Sequence, residues 1–448
     1  MNSTNKPITK IERFGLESVP KDLRTTSWYE YAMIQMTISV NAGNFLVPAL
    51  AVLEGGLSFM WAVISTVLGA MLAFIFVSFL SFPGARKGIP SQYAVRSFLG
   101  QKGAQYFASP VRSITSLYWF AVQTIGGTYM VVELIKRAFS ITLPFLPVSL
   151  LLATLMATLA LVGFNAVKKA TVFLLPLLFA GTVSMMIVFF TSSINGNTFP
   201  SIISSTEAPG YTTFFFYASL AFVQYVSGVS SSSDMARYAR STKHAFFGLF
   251  LGNSFGFLFT AILGAYTASV AASWNPFLIT SRYTDSTVLL TFIFIAALCS
   301  MFTINISNAY TGGYSLLNTF PSLGRVKSAI ILGCFAIMLS GFPALVNEAD
   351  QFISLLGAFV IPLSAIIITD FIIIKKTRFT SELYSKMNSR QNVINYAGFI
   401  AIVSGMCFYL LLPVSFSPGF LSFLFTSILY LVIKKIKVPS IKSKKVHV

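Results

Sequence analysis

The sequence is short of charge, and above all of acidic residues. Only 10% of its 448 residues are charged, whereas a soluble domain carries about 25%. Its 31 lysines and arginines face just 13 aspartates and glutamates. Hydrophobic residues make up 55% of the chain, and the mean hydropathy is +0.76. This composition argues against a soluble enzyme, a nucleic-acid-binding protein and a disordered protein, and it predicts an integral membrane protein with many helical spans.

Groups that ligate metals or catalyse reactions are scarce as well. The three cysteines, Cys299, Cys334 and Cys407, lie within apolar runs and lack metal-ligand or disulfide spacing, so we expect them to be packing residues. The chain has two histidines and lacks the GxxxxGK, HExxH and GxSxG motifs. We therefore expect no enzyme activity, no ATP-driven transport and no cofactor.

Apolar stretches long enough to cross a bilayer, which takes about 20 residues, recur along the chain. We predict twelve spans, numbered here in chain order, near 30–53, 58–82, 110–134, 142–163, 170–192, 211–230, 245–271, 286–310, 328–344, 350–374, 394–413 and 417–434. If the N-terminus is cytoplasmic, the inner segments hold 27 of the 31 basic residues, the outer loops hold three, and Arg112 lies at the edge of a span. This asymmetry predicts a multi-pass protein of the cell membrane with both termini in the cytoplasm, and it explains the net charge of +18 without nucleic acid.

Charged residues are rare in the middle of the predicted bundle. Asp234 and Asp370 lie near inner helix ends, each close to a basic residue. The sequence shows no acidic or histidine chain through the centre, which weakens a proton relay or a carrier of charged substrates. We expect Asp234 with Arg237, and Asp370 with Lys375 or Lys376, to anchor or gate the inner ends of their spans.

Neutral polar and aromatic side chains do occur at depth, and they cluster in four spans. They are Ser39, Asn41, Gly43 and Asn44 in span 1, Trp119 and Gln123 in span 3, Gln224, Tyr225, Ser227, Gly228 and the serines 230–233 in span 6, and Thr303, Asn305, Ser307 and Asn308 in span 8. Any one of them is more simply explained by helix packing. Spans 1 and 6, however, are both interrupted and lie five spans apart, which is typical of the binding site of an inverted-repeat transporter.

The spacing of these side chains indicates what they bind. Trp119 and Gln123 are four residues apart and share one helix face. An indole can stack on a flat ring, and an amide can donate and accept hydrogen bonds in the plane of that ring. Thr303 and Ser307 have the same spacing, and their neutral oxygens, with the freed carbonyls of a broken helix, suit a partly dehydrated Na⁺.

At these residues the sequence resembles the first class of nucleobase:cation symporters, which includes cytosine permeases and hydantoin and allantoin transporters. The resemblance covers about residues 18–380. It is carried, in order, by Pro20, Arg24 and Trp28, by FPGARKGIPSQYAVRSFLGQKG at 82–103, YWFAVQT at 118–124, SDMARYAR at 233–240, NISNAYTGG at 305–313 and IPLSAIIITDFIIIKK at 361–376. Six segments in the family's order make the resemblance specific.

The resemblance implies the architecture of the chain. That architecture is an all-α membrane protein of the leucine-transporter-like fold, with two inverted five-span repeats and two extra spans. On this chain it gives a cytoplasmic segment at 1–28, a first repeat at 29–192 with spans 1–5, a second repeat at 211–376 with spans 6–10, spans 11 and 12 at 394–434, and a basic cytoplasmic tail at 435–448.

The resemblance also implies where the substrate binds. The ring would lie between Trp119 and Tyr225, with Gln123 and an asparagine of span 8 bonded to its edge, and we assign Gln224 to the same site. The family's substrate asparagine falls on an alanine here. Either Asn305 or Asn308 therefore takes that role.

A cation site is implied beside the substrate. It would use carbonyls near Asn41, Gly43 and Asn44 of span 1 and the hydroxyl oxygens of Thr303 and Ser307 in span 8. Family members with a well-defined sodium site carry adjacent hydroxyls, whereas an isoleucine follows Thr303 in this chain. The coupling ion, Na⁺ or H⁺, therefore stays open.

We predict a secondary transporter that imports a neutral planar heterocycle with a cation by alternating access, as spans 1, 2, 6 and 7 rock against the rest. Cytosine or another purine or pyrimidine base is favoured, and hydantoin, allantoin or a thiamine-precursor pyrimidine is the alternative. Rivals of another class are an amino-acid or amine carrier of the same fold and a channel or receptor. The expected partners are the heterocycle, the cation and the lipid bilayer, without nucleic acid.

Overall fold

The computed structural model describes residues 14–161, 164–204, 210–387 and 393–435. Apart from two isolated β-bridges, the regular structure in these ranges is helical. The predicted N-terminal segment is described only from residue 14, and the predicted basic tail lies outside the described residues beyond Lys435.

A helix coincides with each of the twelve predicted spans. In chain order these helices are Trp28–Ser39 with Ala42–Leu53 (span 1), Phe59–Phe79, Ser109–Phe139, Phe145–Ala160, Phe164–Thr191, Tyr211–Val226, Thr242–Ala271, Thr287–Thr319, Gly324–Leu339, Ala349–Ile368, Tyr396–Leu411 and Pro418–Lys435. Shorter helices connect or extend them at Lys21–Leu23, Phe82–Lys87, Ser91–Leu99, Gln101–Gly103, Ala104–Ala108, Phe199–Ser204, Ser227–Ser230, Ser232–Ala236, Pro276–Arg282, Pro321–Leu323, Ala344–Asn347, Thr369–Ile374, Ser381–Lys386 and Val414–Phe416.

The helices have the length and the surface of membrane spans. In the part of the chain that the structure describes, eight helices are long and apolar enough to cross a membrane, and the bent pair of span 1 makes a ninth. Spans 4 and 11 are apolar but shorter. Span 3 has 31 residues and carries more polar side chains than its neighbours. Large apolar side chains such as Leu68, Phe255 and Ile428 are exposed on the outer faces, where hydrocarbon would cover them.

The predicted break in span 1 is confirmed. Its two halves meet at an angle of 60° around Val40 and Asn41. The Asn41 side chain accepts from the Asn44 amide at 2.9 Å and donates to the Ile38 carbonyl at 2.6 Å. The Asn44 side chain donates to the Ser39 carbonyl at 2.8 Å. Side-chain amides thus satisfy backbone groups that a continuous helix would have paired.

Span 6 is broken as well. Its α-helix ends at Val226, a 3-10 turn follows over Ser227–Ser230, and a short helix occupies Ser232–Ala236. The serine run explains the break, because serine hydroxyls bond to nearby carbonyls and compete with the helical pattern. Ser230 donates to the Ser227 carbonyl at 2.8 Å, and Ser231 donates to the Gly228 carbonyl at 3.2 Å.

The two broken spans pack into one bundle. Span 1 packs along span 7, and span 2 packs against spans 6 and 7, whereas span 3 packs mainly against span 8. Close approach of spans 1 and 7 needs small residues. A Cβ atom on Gly252 of span 7 would lie 2.6 Å from the Ala32 carbonyl oxygen. The four spans that we expect to move together are therefore linked to one another through spans 1 and 2.

One end of the bundle gathers the N-terminal segment and the basic connections, and we call it the basic end. Arg237, which is fully buried, donates to the Gly15 carbonyl at 3.2 Å, the Glu17 carbonyl at 2.7 Å and the Gly88 carbonyl at 3.2 Å. The Tyr314 hydroxyl donates to the Phe14 carbonyl at 2.6 Å. These bonds hold the segment from residue 14 across the basic end.

Candidate functional site: a cavity between the broken spans

A cavity of about 170 Å³ lies where spans 1, 2, 3, 6, 7 and 8 meet. Its lining combines aromatic rings, neutral amides and hydroxyls. Side chains that carry them include Phe74, Trp119, Tyr225, Gln35, Asn44, Gln123, Gln224, Asn253, Asn308, Ser39, Ser227, Ser307 and Thr311. The described lining contains no aspartate or glutamate, and its one charged side chain is Arg112.

The cavity brings together most of the predicted substrate residues and splits the predicted cation residues. Trp119, Gln123, Gln224, Tyr225 and Asn308 line it, whereas Asn305 does not. Of the predicted cation residues, Asn44 and Ser307 line the cavity, and Asn41, Gly43 and Thr303 lie outside the lining. Asp234, Arg237 and Asp370 also lie outside it, at the basic end.

Two half-buried aromatic rings line the cavity, and fully buried rings orient them. Trp119 is held by an edge contact with Tyr118, with 5.1 Å between ring centroids. Tyr225 packs against Phe74 at 4.9 Å and against Phe257 at 4.8 Å. The Tyr225 hydroxyl has no hydrogen-bond partner among the described residues. The lining therefore offers fixed aromatic faces and a hydroxyl that is not yet hydrogen-bonded within the described residues.

Gln123 connects span 3 to the break in span 1. Its Oε1 atom accepts from the Gly43 amide at 3.0 Å, and its Nε2 atom donates to Asn41 Oδ1 at 2.5 Å. A Cβ atom on Gly43 would lie only 2.4 Å from Gln123 Nε2, so this contact requires glycine. Gln123 keeps one N–H and one lone pair for a ligand. Its bonds to Gly43 and Asn41 shape the break in span 1.

The two asparagines of span 8 have different surroundings. Asn305 is fully buried, and its Nδ2 atom donates to the Phe120 carbonyl at 3.1 Å and to Thr124 Oγ1 at 2.9 Å. Asn308 lines the cavity, and its amide meets Asn305 Oδ1 only at 3.5 Å. Of the two alternatives, Asn308 is thus the one whose amide faces the cavity, and Asn305 fastens span 8 to span 3.

Gln224 links the two broken spans across the cavity. Its Nε2 atom donates to Asn44 Oδ1 at 3.1 Å. Its Oε1 atom is buried and receives no hydrogen bond from any described residue. A buried acceptor without a donor costs about 1–3 kcal/mol, so a ligand N–H placed here would recover that loss.

Thr303 places a hydroxyl oxygen beside the first half of span 1. Its Oγ1 atom lies 3.4 Å from the Thr37 carbonyl oxygen, 2.9 Å from the Cys299 carbonyl oxygen and 3.0 Å from the Ser300 carbonyl oxygen. These neutral oxygens are of the type that Na⁺ prefers. No group of three or more His, Cys, Asp or Glu side chains that could hold a metal ion occurs in the described ranges.

The predicted gate residues form buried polar contacts at the basic end. Asp234 Oδ1 accepts from the Ser91 amide at 2.7 Å, while its Oδ2 atom has no partner among the described residues. Asp370 pairs with Lys375 and also accepts from the Tyr430 hydroxyl at 2.7 Å.

Sequence reasoning missed several side chains of the lining. Arg112 was assigned to the edge of a span. It lies two turns before Trp119 on the same helix face, and this spacing could have placed it in the site. Asn253 of span 7 and Gln35 of span 1 also line the cavity, and neither was singled out in the sequence. Phe74 carried no signal, because span 2 is apolar on every face.

Comparison with known proteins gives the family. The family described as "Permease for cytosine/purines, uracil, thiamine, allantoin" matches residues 18–432. The chain belongs to this permease family. It is similar to the hydantoin permease of Microbacterium maritypicum, with 21% identity over 395 residues that cover 85% of this chain and 77% of the relative. It is also similar to the cytosine permease of Escherichia coli K12, with 24% identity over 361 residues that cover 78% of each chain.

A solved structure supports the fold. It is a nucleobase-cation-symport-1 family transporter in a closed conformation with bromovinylhydantoin bound, with a TM-score of 0.79, 17% identity and 96% of each chain covered. The predicted family and the all-α, leucine-transporter-like membrane fold are confirmed. So is the prediction of a multi-pass transporter rather than an enzyme. The predicted domain limits and the roles of the site residues stay predictions.

Proposed function

We propose that this permease imports a planar, nucleobase-like heterocycle by secondary active transport and that the ring binds between Trp119 and Tyr225. The observation that carries the proposal is the set of incompletely bonded polar groups in a cavity that also holds two oriented aromatic rings. Flat rings stack on such faces. Their edges carry the hydrogen-bonding groups.

The polar groups complement the edge of a lactam or amidine ring. Gln224 Oε1 would accept from a ring N–H, and the Asn308 amide and the Tyr225 hydroxyl would bond to neighbouring carbonyl or imine atoms. Cytosine or another purine or pyrimidine base remains the favoured substrate. Hydantoin, allantoin or a thiamine-precursor pyrimidine is the alternative, and the relatives named as hydantoin and cytosine permeases support both groups.

Coupling to a cation would act through span 1. We propose that Na⁺ binds beside Thr303 Oγ1 and the Thr37 carbonyl, so that the ion would join span 8 to the half-helix before the break. Because Ile304 supplies no second hydroxyl, H⁺ coupling is the competing proposal. In either case the cation would favour one arrangement of spans 1, 2, 6 and 7 against the remaining spans.

The basic end would face the cytoplasm of the cell. The inner segments under this orientation hold 27 of the 31 basic residues, so we propose a location in the cell membrane with both termini inside. Opening of the contacts that hold the segment from residue 14 would then release substrate inward. An amine carrier is disfavoured, because the described lining lacks an acidic side chain to hold an ammonium group.

Gradient-driven uptake tests the proposal. Purified protein in liposomes would be given radiolabelled cytosine, uracil or hydantoin while Na⁺ and pH gradients are imposed separately. We expect one gradient to drive uptake, Trp119→Ala to abolish it and Trp119→Phe to retain part of it. Trp61→Ala is the matched control, because Trp61 contacts Phe214 away from the cavity. Absence of heterocycle uptake under both gradients would refute the substrate assignment.

A further inference from the structure

Arg112 is a buried cation in the wall of the cavity. The residue is only 9% exposed, lies in span 3 and lines the same cavity as Trp119. One of its terminal nitrogens donates to Thr311 Oγ1 at 3.2 Å, a long bond to a neutral group. Its Nε atom is buried and has no acceptor among the described residues. A guanidinium carries five N–H donors, so most of its hydrogen-bonding capacity is unused within the protein.

The opposite charge near Arg112 is bonded elsewhere. Asp234 interacts with Arg112 electrostatically, but its Oδ1 atom accepts from the Ser91 amide and no direct Arg112–Asp234 ion pair forms. Asp234 also faces Arg237, which donates to backbone carbonyls. The described lining itself contains no acidic side chain. Two buried guanidinium groups thus share one carboxylate, and the group that faces the cavity has only the Thr311 hydroxyl as a direct acceptor.

We propose that Arg112 is a specificity-determining residue that binds an acceptor oxygen of the substrate, either a ring carbonyl or a carboxylate. This inference rests on the proposed function and narrows its substrate class to heterocycles with an oxo or carboxylate edge. A guanidinium only donates, and so does an exocyclic amino group. An amino edge turned toward Arg112 would set donor against donor, whereas an oxygen would form a charge-assisted bond.

The position of Arg112 gives the bound ring a direction. Arg112 precedes Trp119 by seven residues, so it lies about 10 Å closer to the basic end on the same helix face. Gln224 supplies an unpaired amide oxygen in the lining. A ring that stacks on Trp119 would turn its oxygen edge toward the basic end and an N–H toward Gln224.

Hypoxanthine and adenine are a matched pair for the test, because they differ by an oxo or an amino group at one ring position and adenine carries no oxygen. Equilibrium binding of both, of uracil and of orotate, which adds a carboxylate to uracil, would be measured on the purified full-length protein. The variants are Arg112→Gln and Arg112→Lys. Arg325→Gln is the matched control, since that buried guanidinium packs over Tyr310 and Tyr314, outside the lining.

We expect the wild type to prefer hypoxanthine to adenine by about tenfold or more, the size of one bond to a charged group. Arg112→Gln should bring this ratio close to one, Arg112→Lys should retain part of it, and the control should leave it unchanged. If orotate binds more tightly than uracil in an Arg112-dependent way, the acceptor is a carboxylate. If uracil binds more tightly than orotate, the acceptor is a ring carbonyl.

Two results would overturn the inference while leaving the proposed function in place. One is a wild type that binds adenine as tightly as hypoxanthine. The other is an unchanged ratio in both Arg112 variants. If Arg112→Gln fails to fold, Arg112→Lys still decides, because it keeps the charge and loses the forked geometry. Failure of the wild type to bind any heterocycle would instead refute the proposed function, and this inference with it.

Discussion

We predict that the substitution Gly43→Ala displaces the side-chain amide of Gln123, which contacts Gly43. An added Cβ atom would lie 2.4 Å from Gln123 Nε2 and 3.2 Å from its Cδ atom, so the amide must move. That movement breaks the bonds of Gln123 to the Gly43 amide and to Asn41 Oδ1. Two buried hydrogen bonds at about 0.5–1.5 kcal/mol each give a loss of about 1–3 kcal/mol.

The loss should appear in ligand affinity as well as in stability, because Gln123 connects the break in span 1 to the cavity wall. We expect Gly43→Ala to weaken binding by about 5-fold to 150-fold, measured by equilibrium binding of the best heterocycle. Gly333→Ala is the control, since the nearest atom that its Cβ would meet is Ala157 Cβ at 3.3 Å.

A double-mutant cycle tests the physical reason. In a Gln123→Ala background the amide that clashes is gone, and the added Cβ would meet Trp119 Cζ3 at 3.3 Å. Gly43→Ala should therefore cost at least about 1 kcal/mol less there than in the wild type. Equal costs in the two backgrounds would show that the clash with Gln123 is not what excludes alanine, and the reasoning would be refuted.

Further predictions concern the cation and the basic end. Thr303→Val should raise the half-saturating Na⁺ concentration for uptake at least about tenfold while Thr303→Ser stays near the wild type, and no change would exclude this cation site. Arg237→Gln should speed amide hydrogen exchange over residues 14–24, and unchanged exchange would contradict its role there.

Much of the architecture could be predicted from composition and loop charge. Apolar stretches of about 20 residues locate helices whatever their neighbours are, and the interruptions in spans 1 and 6 follow from local chemistry. Asn41 caps the second half of span 1, and the serines near Ser230 bond to their own backbone. These hydrogen bonds join residues only a few positions apart in the chain, so the sequence alone can predict the two breaks.

The geometry of the site could be predicted only in part. Asn305 and Asn308 share a face of span 8, and a rotation of about 60° decides which amide meets the cavity. That rotation depends on packing against Thr124 of span 3, which is distant in sequence. Gln123 was predicted to bind substrate, but its bonds to span 1 required knowledge of which spans meet. Arg112 was missed because the basic residues were counted only to orient the chain. The helix face on which Arg112 lies was not considered.

A structure with a bound heterocycle tests the central claim most directly. The ligand that competes best in uptake would be added at saturating concentration to the purified protein before structure determination. We predict a ring stacked between Trp119 and Tyr225, with its edge bonded to Gln224 and Asn308. A ring bound elsewhere, such as in the apolar groove of about 270 Å³ between spans 6, 10, 11 and 12, would contradict the account.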